Sequence, residues 1–409
     1  MKRKITILSL TVILIVLSSF SGFAKELIVF ENTSNLSKAK EVIEKYIEIS
    51  MKQYDTKSKF DISYDGIIKK DSGFGEYAKK LSRLIYNRYK SFDSLQIEKF
   101  NYNIEYGDVK NINENYEIKA SVLEEKYYKG QDEPAYLCTE HIFTIEHIGN
   151  YFYIKHDKTD DYIDQYLQEE GIKDNYTIDD MISDDKKLIK QELAEQAIVK
   201  KQAALAAKTQ SLTSEAKSVN SELAEDSDYT ADSEKSKIKV HKFSYDSMYK
   251  YAGKYNKNSP NKVANRNPNY PDFEKLGGDC TNYISQILHA GGSPKVKNKW
   301  YCDKNTHTAS WSSVQSLYKF IKDNKGVGPR GYKIKNDETF IASKGDIIQL
   351  RFINKSNFSH SVWITSHHSG TTSATKIAAH SRDRWNDLLE SIPGAAKRRW
   401  TKLTGYGKE

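Results

Sequence analysis

The chain of 409 residues has only three cysteines, seven prolines and four methionines. Three thiols in so long a chain exclude a disulfide scaffold. Few prolines and 21 glycines exclude collagen-like and Pro/Gly-rich low-complexity chains. The sequence holds no paired-cysteine motif, no His-Glu-x-x-His and no Asp-rich calcium loop, so no metal is expected. It also lacks a Walker or Rossmann glycine pattern, and no cofactor is expected. No internal repeat is visible. Past residue 24 no apolar run approaches the roughly 20 residues that a membrane span needs. The length instead fits two or three globular domains.

What is present begins with a targeting pattern. Lys2, Arg3 and Lys4 precede an apolar run over 5–17, and Gly22 and Ala24 give a small-x-small site. This reads as a signal peptide over 1–24, cleaved after Ala24, and it predicts an exported chain with no stable membrane span. Export makes nucleic acid a poor partner.

Charge is distributed unevenly. Residues 161–234 hold 8 basic and 18 acidic side chains, net −10, whereas 241–409 hold 28 basic and 13 acidic, net +15. A basic exported domain can be held near anionic polymers such as those of a bacterial wall.

Three segments follow the leader. Residues 25–165 predict a small α+β domain. Helical spacing over 34–52 and 76–89 gives way to alternating patterns over 94–106, 115–127, 135–146 and 150–155. Two helices and a curved antiparallel sheet resemble the cystatin-like or NTF2-like cone. Residues 166–240 predict an acidic linker. It consists of a lone solvated helix over 182–210 and a disordered Ser/Glu/Asp-rich stretch over 211–236. The acidic pairs Asp179-Asp180 and Asp184-Asp185 read as solvated charge at a helix start. Residues 241–409 predict the domain that carries chemistry.

Within it, Gly277-Gly278-Asp279-Cys280 leads into a helical stripe of Tyr283, Ile284, Ile287 and Leu288, which Gly291 and Gly292 end. Cys280 then lies in the first helical turn. There the helix dipole and free N–H groups lower a thiol pKa and can hold an oxyanion. A base is supplied by strands over 347–352, 359–365 and 375–381. Gly370 lies midway between His360 and His380, so a symmetric hairpin would face the two rings on one side. In that reading Cys280 is the nucleophile, His360 the base and His380 the group that orients it. A one-residue slip would break the facing pair, and Asp383 or Asn386 would then be the third member. Trp311 is a candidate for the substrate groove and Tyr270 for an oxyanion donor. His289, His367 and His368 read as structural or solvated.

The run Gly-Gly-Asp-Cys-Thr-Asn-Tyr-Ile-Ser-Gln-Ile-Leu-His-Ala-Gly-Gly over 277–292 resembles the signature of the putative amidase domain family of Gram-positive bacteria. Tyr249-x-Tyr251-Ala252, Asn267-Pro268-x-Tyr270, Ser310-Trp311, His360-Ser361-Val362 and Ala379-His380-Ser381-x-Asp383-Arg384 fit the same pattern. The resemblance covers 243–409. It implies a papain-like fold, similar in outline to NlpC/P60 and CHAP hydrolases, with Cys280, His360 and His380 as a triad. The expectation is a secreted or wall-associated cysteine amidohydrolase acting on peptidoglycan peptides. The alternatives are a silent papain-like binding or adhesion module and a thiol acyl-transferase.

Overall fold

The structure, a computed structural model, describes residues 21–70, 72–113, 115–165, 167, 176–219, 238–274, 278–353, 355–367 and 375–409. Most of the expected leader, the 220–236 part of the Ser-rich stretch, Gly277, His368 and Gly370 lie outside these residues.

Two helices, α1 (Ser21–Met51) and α2 (Phe74–Ser91), precede four antiparallel strands, β1 (Ile97–Ile112), β2 (Asn115–Tyr128), β3 (Ala135–Ile148) and β4 (Tyr151–Thr159). Alternation along β2 turns Tyr116, Ile118, Ala120 and Val122 inward. They meet Ala39, Ile43 and Ile47 of α1 and Phe74 and Ala78 of α2 in one core. A short α3 (Tyr162–Gln165) leads to the long α4 (Ile178–Val219).

Helix α4 is not the solvated spacer that its composition predicts. Ile178, Met181, Ile182, Asp185, Ile189, Glu192 and Val199 recur at helical spacing and are all buried. They pack α4 against Leu84 of α2 and Ile353 of the C-terminal part. The residues that look like its apolar stripe, Leu193, Ile198 and Leu205, face outward instead. The acidic pair at 184–185 also differs from expectation. Arg88 of α2, fully buried, donates to Asp185 Oδ1 at 2.8 Å and to both Glu192 oxygens at 2.7 and 2.8 Å. Its Nε donates to the Glu390 carbonyl at 2.6 Å, and Arg398 donates to Glu192 at 2.9 Å. Two carboxylates on the buried stripe are tolerated because two guanidiniums meet them.

The C-terminal part contains β5 (Lys239–His241), α5 (Tyr245–Lys254), α6 (Cys280–Ala290), α7 (Ala309–Ser312), α8 (Val314–Asp323), β6 (Gly328–Lys333), β7 (Ile347–Arg351), β8 (His360–Ser366), β9 (Lys376–Ala379), β10 (Arg384–Leu388) and β11 (Lys397–Lys408). The antiparallel order is β10-β9-β8-β7-β11, with β5 and β6 on β11. Helix α6 buries Tyr283, Ile284, Ile287 and Leu288 with Trp363, Ala378 and Trp385 on one face of this sheet. Val362, Ile364, Ile377, Ala379 and Trp400 form the core on the other face. The whole is α+β, helices packed on antiparallel sheet.

The two parts share that sheet. Arg384 of β10 stands opposite Leu137 of β3, and Trp385 opposite Tyr136, so the strands form one continuous sheet. Beside this joint Tyr128 donates to Asp387 Oδ1 at 2.7 Å. Among the described residues no helix is long and apolar enough to cross a membrane.

Candidate active site

Cys280 is the first residue of α6, as its position after Gly-Gly-Asp predicts. The turn that delivers it is built by close approach. Gly278 has φ +119°, and a Cβ there would lie 3.2 Å from Ser381 Oγ. The next N–H, of Asp279, donates to the same Oγ at 2.5 Å. Asp279 Oδ1 then accepts from Phe273 N–H and from Asn282 Nδ2, at 3.2 and 2.7 Å. The residue before the thiol is thus tied on both sides.

The sulfur lies against the start of β8. The β8–β9 ladder ends at the Trp363–Ala378 pair, and beyond it the N–H of Ser361 is given to Cys280 Sγ. The Thr281 N–H also points to the sulfur, and Thr281 Oγ1 lies 3.7 Å away. Burial is the largest influence on this thiol and pushes its pKa up. The Ser361 and Thr281 donors pull it down, and the Asp279 charge adds to the rise. The net rise reverses the expectation of a low-pKa thiolate, because the first helical turn is covered here rather than open to water.

His360 and His380 do not face each other. The β8–β9 register pairs Trp363 with Ala378 and Ile364 with Ile377. Each pair sums to 741, so the ladder is one residue out of step with a 360–380 pairing. Alternation sends His360 to the side of Val362 and Ile364, where its ring lies 6.3 Å from Phe352. His380 goes to the α6 side and stacks on Tyr283 at 3.6 Å. Its Nδ1 bonds Asp279 Oδ2 and its Nε2 bonds the Tyr255 carbonyl, both at 2.6 Å. With both nitrogens occupied, His380 holds the loop before Cys280 and does not orient His360. Among the described residues no hydrogen bond joins His360 to Cys280 or to His380. Burial, with Arg382 and Arg384 nearby, lowers the His360 pKa to about 3. The ring is therefore a neutral base at any ordinary pH.

The alternative third members are also committed elsewhere. Asp383 takes a two-pronged contact from Arg266, at 2.6 and 2.8 Å. Asn386 donates to Glu133 Oε2 at 2.8 Å and to Tyr249 Oη at 3.2 Å. Trp311 does not line a groove. It is fully buried, and its Nε1 donates to Asn282 Oδ1 at 2.7 Å. Tyr270 stacks on Trp311 at 5.7 Å, and the Lys295 ammonium caps the Tyr270 ring at 4.4 Å. This places Tyr270 in a packed aromatic stack. His289 bonds the Ser293 carbonyl at 2.8 Å and is structural, as expected.

Sequence reasoning missed a row of buried polar residues behind the thiol. Ser361 Oγ lies 3.2 Å from Thr281 Oγ1, Gln349 Nε2 donates to Ser361 Oγ at 3.4 Å, and Arg399 Nε donates to Gln349 Oε1 at 2.9 Å. Gln349 and Arg399 stand out only as polar residues inside apolar strands. That signal needed the β11 register to be read as a site. Among the described residues no cluster of His, Cys, Asp and Glu could hold a metal ion.

Comparison with known proteins bears on the same region. An uncharacterized protein of Bacillus subtilis, YhbB, is 30% identical over 110 residues, which is 26% of this chain and 33% of that protein. The chain thus aligns with about a third of that relative's length. No solved structure matches. Residues 242–403, the segment that holds Cys280, His360 and His380, match the family model described as the putative amidase domain.

Proposed function

We propose that the C-terminal domain is a papain-like cysteine amidohydrolase with Cys280 as its nucleophile. The observation that carries this reading is the placement of the sulfur. It sits at the first residue of α6, in front of the N–H of Ser361, the residue that follows His360 in the chain. The Ser361 and Thr281 N–H groups donate to it and its contact with Thr281 Oγ1 runs in either direction, so among the described residues no base meets the S–H proton at rest. The His360 imidazole, one residue before Ser361 on β8, is the base to take it once its ring leaves the burial that holds its pKa down.

The steps balance with the chain's own groups. Rotation of the His360 side chain brings its ring to the thiol. As Cys280 Sγ bonds to the amide carbon, its proton passes to His360, and the carbonyl becomes an oxyanion held by N–H groups of the first turn of α6. His360 returns that proton to the nitrogen as the C–N bond breaks. Water, losing a proton to His360, then cleaves the thioester and restores the thiol. His380 is a positioning residue, acting through Asp279.

The substrate follows from the amidase-like domain and the leader. We place the protein outside the cell, at a wall of the Gram-positive kind, acting on amide bonds of peptidoglycan peptides. The surplus of 28 basic over 13 acidic side chains in 241–409 suits retention on an anionic wall polymer. The N-terminal part, of cystatin-like or NTF2-like outline, has the position of a docking module.

The test is release of new amino groups from purified sacculi by the full mature chain. Cys280→Ala should abolish release and leave sacculus binding intact. Undiminished release would overturn the nucleophile. The buried thiol and the burial of His360 on the other face of the sheet also favour a second reading, a silent binding module. Binding to sacculi without release by the unaltered chain selects it.

A further inference from the structure

The polar row behind the thiol has a direction. Gln349 is buried on β7, and its amide is held at both ends. Its Oε1 accepts from Arg399 Nε at 2.9 Å and also from Arg399 Nη2. Its Nε2 donates to the Val314 carbonyl at 2.7 Å. A flipped amide would set NH2 against a guanidinium and oxygen against a carbonyl, so only one orientation fits. The guanidinium is fixed in turn. Its Nη1 donates to Gln315 Oε1 at 3.0 Å, and its plane lies 3.8 Å from the Tyr318 ring centre and 4.2 Å from that of Phe358.

The fixed amide decides what the hydroxyls do. Ser361 Oγ already accepts from Gln349 Nε2, at 3.4 Å. Its own proton is then free for Thr281 Oγ1, 3.2 Å away, a contact that either hydroxyl can donate. With Thr281 Oγ1 accepting there, its proton is available to Cys280 Sγ, 3.7 Å away, in a contact that the thiol can also donate. Gln349, Ser361 and Thr281 are all nearly without solvent contact, so water does not compete for these protons.

We propose that Gln349, clamped by Arg399, is a positioning residue that aims the Ser361 and Thr281 hydroxyl protons at Cys280 Sγ, favouring its thiolate. This rests on the reading of Cys280 as nucleophile.

The variant that tests it is Gln349→Glu. A carboxylate of the same shape keeps the Arg399 contact, loses the bond to the Val314 carbonyl and accepts from Ser361, which turns the row around and takes the last proton away from sulfur. The measurement is iodoacetamide alkylation of Cys280 across a pH series in the full mature chain, each thiol followed by peptide mass spectrometry. The expected result is a Cys280 pH profile displaced upward by about one unit, with alkylation at fixed pH about tenfold slower. In a Thr281→Val background the same Gln349→Glu change should have no further effect. An unmoved profile, or an equal shift in the Thr281→Val background, overturns the proposal. Should Gln349→Glu fail to fold, Thr281→Ser and Thr281→Val decide it. Serine keeps the O–H and the profile, valine displaces it, and equal profiles overturn the direction. The alkylation profile reports on the row whether or not sacculi are cut, whereas the Cys280→Ala release assay reports on the nucleophile alone.

Discussion

Trp363 stands opposite Ala378 across the β8–β9 ladder, and that one pairing sends His360 and His380 to opposite faces of the sheet. His380 is thereby committed to Asp279 and the Tyr255 carbonyl, and His360 is left as the only imidazole of the two with a ring that can be recruited.

The resting thiol should behave as a buried one. Burial raises its pKa despite two backbone donors and a hydroxyl. Alkylation of Cys280 should be slow at neutral pH and accelerate only toward alkaline pH. His360→Ala should leave that resting profile unchanged while abolishing release from sacculi. Cys302, pushed up to about 11, and Cys138, pushed up to about 12, serve as internal standards. Fast alkylation of Cys280 below neutrality would show a preformed thiolate pair and sink this account.

His380→Ala should act on stability first. It takes the 2.6 Å bond from Asp279 Oδ2 and leaves that buried carboxylate, among the described residues, with Arg266 at 3.7 Å. Removing one member of a buried pair costs about 3 kcal/mol. The urea midpoint should fall accordingly. Sacculus release, measured where the variant is still folded, should fall far less than in Cys280→Ala. A full loss of release with an unchanged midpoint would return His380 to the reacting atoms.

The signature around Cys280 was legible because local chemistry repeats there: glycines, a capping residue, a thiol and a helical stripe follow in order. The strands of the first half were legible because Tyr116, Ile118, Ala120 and Val122 alternate with polar neighbours. The hairpin register was not legible. Symmetry about Gly370 and the true ladder differ by one residue, and composition cannot resolve one residue. Helix α4 misled for another reason. Its buried stripe includes Asp185 and Glu192, whose partners Arg88 and Arg398 lie roughly a hundred and two hundred residues away in the chain. A pattern search for apolar spacing therefore selects the wrong face.

Glu390 gives the seam a pH dependence. Its carboxyl is fully buried, and among the described residues no other residue donates a hydrogen bond to it. Burial pushes its pKa from 4.5 to about 7, Glu192 adds to the rise, and Arg398 and Arg88 oppose it. The folded chain thus holds a proton that the unfolded chain gives up, and stability falls as pH rises from 4.5 to about 7. Glu390→Gln removes that loss. The variant should match the unaltered chain at pH 4 and exceed it by roughly 3 kcal/mol at pH 8. A constant difference across the series would place the effect elsewhere.

Arg88 should hold the halves together after the chain is cut. With a protease site placed within 220–237, the two fragments should elute as one species. Arg88→Ala leaves Asp185 and part of Glu192 uncompensated, at a cost of about 3–5 kcal/mol. Its fragments should elute separately, and co-elution in both would show that the shared sheet alone suffices.

The joint between β10 and β3 has a consequence for where the protein can be divided. The matched segment, 242–403, stops inside β11, which runs on to Lys408 and carries the pairing with β5. It also leaves out β3, the strand that makes β10 an interior strand. Excised at those limits, the segment would present an open row of N–H and C=O groups beside Trp385, an invitation to pair with its own copies. The stretch recognised by family resemblance is smaller than the stretch that closes its own edges, and a truncation meant to isolate that stretch would manufacture an adhesive one.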